Sequence, residues 1–95
     1  MKVLITLNKM NTGRVQLSCI KSTNEGGGVG TAYTLPPFNP NAMAEVEAIL
    51  GNMGVDEEII AATVSQIRQA GLGGVVKVQD RDVPDDILRE NGFSL

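Results

Sequence analysis

Three groups of residues have the types and spacing for chemistry. The first is the run Gly26-Gly27-Gly28-Val29-Gly30. Bare backbone amides in such a loop can close on a phosphate or another anion. The dinucleotide fingerprint needs G-x-G-x-x-G between a strand and a helix. Gly26 and Gly28 supply its first two glycines, but the sixth position is Thr31 and a strand-like segment follows. The Gly-Lys-Ser or Gly-Lys-Thr of a nucleotide-triphosphate loop is absent. The run reads first as a hairpin loop, with Gly26, Gly28 and Gly30 left as an anion-binding candidate.

The second group is acidic: Asp80, Asp82, Asp85 and Asp86. Oxygen-rich clusters hold calcium or magnesium. Counted from Asp80, the calcium-loop pattern fails at positions five, six and twelve, which are Pro84, Asp85 and Asn91. Asp80, Asp82 and Asp85 stand as the metal candidate. Against it stands a capping role for Asp82, with Asp85 and Asp86 offsetting a helix dipole.

The third is Cys19, the one cysteine. It shares an alternation with Val15 and Leu17, which predicts a buried, inert thiol. The chain has no histidine, so the commonest general base and metal ligand are missing. Disulfides within the chain and zinc sites of several Cys and His are excluded. No spacing singles out an acid pair such as Glu45 and Asp82, or a nucleophile such as Thr63 or Ser65. The expectation is a non-enzyme that needs no cofactor.

The elements that position these residues follow from patterning. The 95 residues make one domain, 42% hydrophobic and 20% charged, close to globular averages. Lys2–Asn8 and Arg14–Lys21 alternate with period two and read as strands, joined by the turn Asn11-Thr12-Gly13. Lys2 before an apolar run opens like a signal peptide, but the run stops at Asn8, too short for a signal core. Thr31–Leu35 reads as a third strand, ended by Pro36-Pro37.

A first helix is expected over Pro40–Asn52, with Asn39 as its start and the stripe Met43, Val46, Ile49, Leu50 and Met53. Gly51 and Gly54 mark its exit. Asp56 should cap a second helix, with Ile60, Val64 and Ile67 as its stripe, Arg68 in its last turn and Gly71 as its stop. A strand, Val75–Gln79, and a short helix, Pro84–Asn91, complete the order β-β-β-α-α-β-α. The predicted class is α+β, a three- to four-stranded, mostly antiparallel sheet with the helix pair on one face. The place of the fourth strand in the sheet is open at this point.

The stretch Ile49-Leu50-Gly51-Asn52-Met53-Gly54-Val55-Asp56 resembles the Met-Gly turn of ubiquitin-associated three-helix domains. The likeness takes in the turn and part of the following helix. The family places a third helix next, where this chain has Gly73-Gly74 and a strand. No function or residue is therefore carried over.

Charge and composition narrow the partners. Net charge is −3, and ten of the eleven acids lie after residue 41. The second helix would present Glu57 and Glu58 to phosphates, and Lys9, Arg14 and Lys21 have few aromatics to interleave with. A nucleic-acid-associated accessory role is thus the third reading. No segment approaches the roughly 20 apolar residues of a membrane span. A lone cysteine fits a reducing, cytoplasmic setting. The leading expectation is a non-catalytic protein–protein interaction module that self-associates or binds another protein. Its surface candidates are Met43, Met53, Glu57, Glu58 and Arg68. The alternative is a small-molecule or anion binder using Gly26–Gly30.

Overall fold

The computed structural model describes residues 1–21 and 30–95. The strands are β1 (Lys2–Lys9), β2 (Val15–Lys21), β3 (Thr31–Thr34) and β4 (Val75–Asp82). The helices are α1 (Met43–Asn52), α2 (Glu57–Gln69) and α3 (Asp85–Glu90). The order is the one patterning predicts. The four strands form one antiparallel sheet in the order β3-β2-β1-β4. The fourth strand therefore lies beside the first, and β1 is central.

The alternation sorts the two sheet faces as expected. Val3, Ile5 and Leu7 of β1 and Val15, Leu17 and Cys19 of β2 are at most 2% exposed. They meet Met43, Val46 and Leu50 of α1 and Ile60, Val64 and Ile67 of α2 in one core. The other face carries Leu4, Thr6, Asn8, Gln16, Ser18 and Ile20, by the same register.

Several boundaries shift, each for a physical reason. The first helix opens with a 3-10 turn, Pro40–Ala42, whose start is capped by Asn39 through Asn41 N–H (2.9 Å). Asp56 has the extended backbone of an N-cap, but its side chain makes no capping bond. The second helix ends as Ala70 turns extended, one residue before Gly71. β4 runs on through Asp80-Arg81-Asp82, because Arg81 and Asp82 pair with Val3 and Lys2. Asp82 thus sits in a strand, and Pro84 takes the N-cap place of α3. A capping role for Asp82 is corrected accordingly.

β4 also bulges. Ile5 faces Gln79 and Thr6 faces Lys77, so Val78 is the extra residue. A bulge changes the phase of side-chain alternation. Val78 and Gln79 both turn toward the helices, and Gln79 Oε1 is buried there without a partner among the described residues.

The Met53-Gly54 turn joins α1 to α2. Val55 N–H reaches Leu50 C=O (3.1 Å) and Gly54 N–H reaches Gly51 C=O (3.0 Å). This is the paired-bond helix stop with a left-handed residue, here Gly54 at φ +92°. Arg81 Nε donates to Met53 C=O (3.0 Å). A Cβ on Gly54 would stand 2.6 Å from that guanidinium. A strand, β4, follows α2 where the ubiquitin-associated family places a third helix.

Candidate functional site

Of the glycine candidates, Gly26 and Gly28 lie outside the described residues. Gly30 is described, and a backbone contact accounts for it. A Cβ there would meet Ile20 Cγ2 at 2.9 Å and Lys21 O at 3.0 Å. Glycine at this position lets the chain close onto β2 at the start of β3.

The acidic candidates separate. Asp80 lies opposite Leu4 and Asp82 opposite Lys2 on β4, while Asp85 begins α3. Asp82 Oδ1 lies 3.1 Å from the Met1 amine and Asp85 Oδ1 lies 3.7 Å from it. That amine also donates to Val83 C=O (3.0 Å). Asp82 and Asp85 thus share a cation from the chain itself. Among the described residues no three His, Cys, Asp or Glu side chains gather to hold a metal ion.

Cys19 is fully buried, with its Sγ 3.9 Å from Met53 Sδ. Burial pushes its pKa from 9.0 up to about 12. The thiolate, which is the nucleophile, is suppressed. Thr63 Oγ1 is committed to Ile59 C=O at 2.8 Å. Ser65 accepts from Gln69 Nε2 (3.4 Å) on the same helix. Glu45 lines a groove that does not include Asp82.

Met43 and Met53 are 1% and 3% exposed. They fill the core, so as surface candidates they are corrected. The stripe that made them look like a binding face is the stripe that packs on the sheet. Glu57 and Glu58 are exposed in the first turn of α2 and Arg68 in its last. Lys9 Nζ donates to Arg68 C=O (2.9 Å), which satisfies a terminal carbonyl and complements the dipole. One of the three cations considered for nucleic acid is therefore engaged within the fold.

Two surface features were not singled out from the sequence. One is the outer edge of β3. Leu35 N–H donates to Leu17 C=O (3.2 Å). Backbone groups alternate in direction along a strand, so those of Tyr33 and Thr31 also face β2. Those of Ala32 and Thr34 point outward. Both residues are exposed, and β3 has no charged residue. The opposite edge, β4, carries Lys77, Asp80, Arg81, Asp82 and the bulge, all devices that discourage strand pairing.

The other feature is a groove of about 560 Å³. It begins at Leu35, directly after β3. Pro36, Pro37 and Phe38 form one wall, and Ala42 of the 3-10 turn with Ile49 of α1 the other. The adjacent prolines were the signal available in the sequence; the wall from α1 was not.

No family model, curated protein or solved structure matches the chain. Its class is defined by its own architecture: a small α+β fold with helices packed on a four-stranded antiparallel sheet. Among the described residues no helix is long and apolar enough to cross a membrane.

Proposed function

We propose that the protein is a non-catalytic interaction module that works as a homodimer joined through β3. The observation that supports this reading is the contrast between the guarded edge β4 and the uncharged edge β3.

The edge is self-complementary. In an antiparallel pairing about a two-fold axis at Tyr33, Ala32 of one copy faces Thr34 of the second. Their outward N–H and C=O groups exchange hydrogen bonds at both pairs. Tyr33 faces Tyr33 across the axis, on the sheet side it shares with Cys19. An aromatic pair of this kind adds about 0.2–1 kcal/mol. No like charges are opposed, because β3 has none. Pro36 ends the ladder, since it has no donor to offer.

The contact is small. A four-residue strand buries less than the roughly 800 Å² per partner of a standard interface. Association in the micromolar range or weaker follows, with the fraction of dimer set by concentration.

Sedimentation equilibrium tests the reading. The wild-type chain should move from monomer to dimer with concentration. Ala32→Pro removes a donor that faces away from β2, so it should leave the fold intact and abolish the dimer. Ala32→Lys should do the same by placing like charges near the axis. A monomer at all concentrations, or a dimer that survives both substitutions, contradicts the reading.

A further inference from the structure

We infer that the groove beside α1 is a docking site for a peptide segment of another protein, taking an apolar side chain next to a basic one. The inference goes beyond dimerisation and does not depend on it.

The volume, about 560 Å³, lies within the roughly 300–1,000 Å³ of small-ligand pockets, so it has room for an apolar side chain and its neighbour. The walls are apolar and preformed. Pro36 and Pro37 are stiff, and Ile49 is fixed in a helix, so little ordering is lost when an occupant arrives.

The rim shows what charge the occupant carries. Asn39 Oδ1 already accepts from Asn41 N–H (2.9 Å). Asn91 Nδ2 donates to Ile87 C=O (2.8 Å), and its Oδ1 accepts from Asn52 Nδ2 (2.9 Å). The Asn91 amide and Asn39 Oδ1 are thus engaged within the fold, while Asn39 Nδ2 faces the groove's exposed side as a neutral donor. Among the described residues Glu45 is the one ionised residue lining the groove, it is exposed, and no cation pairs with it. An apolar trough with one unmatched carboxylate at its rim is complementary to a Leu-like side chain flanked by Lys or Arg. An acidic ligand is repelled by that carboxylate, and a wholly apolar one leaves it in water with no gain.

The test uses the full chain and three capped peptides of otherwise equal sequence. One has leucine beside lysine. In the second, glutamate replaces the lysine. In the third, alanine replaces the leucine. Amide shifts are followed during titration. The Leu-Lys peptide should move Ala42, Glu45, Ile49 and Gly92 in a saturable manner. Its affinity should exceed that of the glutamate peptide by about three- to fivefold, the worth of a partly exposed ion pair. Glu45→Lys, an exposed change that spares the core, should reverse the order. Ala42→Leu should fill the groove and weaken all binding.

Equal binding of the three peptides overturns the inference, as does a response elsewhere on the surface. Saturable shifts of the same groove amides as the concentration of the protein alone rises would assign the groove to a second copy and also overturn it.

Discussion

Cys19 shows how burial decides chemistry at a single residue. Its thiol sits between the sheet and Met53, and its pKa is pushed up from 9.0 to about 12. The folded state favours the neutral thiol, so this stabilisation is complete below about pH 9 and is lost as pH rises toward 12. The urea midpoint of the wild type should fall across that window more steeply than that of Cys19→Ala. Labelling by a thiol reagent at neutral pH should track global unfolding, and rapid labelling of folded protein would contradict the assignment. Gly54 and Arg81 form a second residue-scale device. Gly54→Ala should cost about 1–2 kcal/mol, because alanine resists positive φ. With Arg81→Ala the penalty should shrink, because the guanidinium that a Cβ would strike is gone. Additive costs in a denaturation double-mutant cycle would remove this coupling. The burial of Cys19 was legible from its alternation with Val15 and Leu17. The role of Arg81 was not, because Asp80-Arg81-Asp82 reads as a polar lead into a helix until β1 supplies its pairing partners.

At the scale of elements, patterning succeeds where one face of an element is buried. Val46 and Leu50 in α1 and Ile60, Val64 and Ile67 in α2 mark the packed stripes that their spacing predicts. It fails where tertiary pairing overrides local signals. β4 gains three polar residues because Lys2, Val3 and Leu4 extend the ladder beside them. The bulge at Val78 has no sequence mark, and it carries Gln79 to the helix side. Gln79→Met should leave stability unchanged or raise it by about 1 kcal/mol, since it removes an unpartnered buried acceptor. A loss of more than about 1 kcal/mol in urea denaturation would show that Oε1 has a partner after all. The groove was partly legible, in Pro36-Pro37-Phe38, but its second wall depends on how α1 returns across the end of β3.

For the whole molecule, the strand order decides which surfaces are on offer. With β1 central, the sheet has β3 at one edge and β4 at the other. The sequence left the position of β4 open because the helix pair is long enough to return the chain to either side. Once β4 is placed, its charges and bulge guard one edge, and β3 is left as the uncharged one. The melting temperature should therefore rise with protein concentration in the wild type and not in Ala32→Pro. The most direct measurement is amide hydrogen exchange at Ala32 and Thr34 as a function of concentration. The account predicts rapid exchange when dilute and slowing at both residues as concentration rises, while Tyr33, already bonded to β2, changes little. Exchange at Ala32 and Thr34 that stays rapid at every concentration would contradict the assignment of β3 as the joining edge.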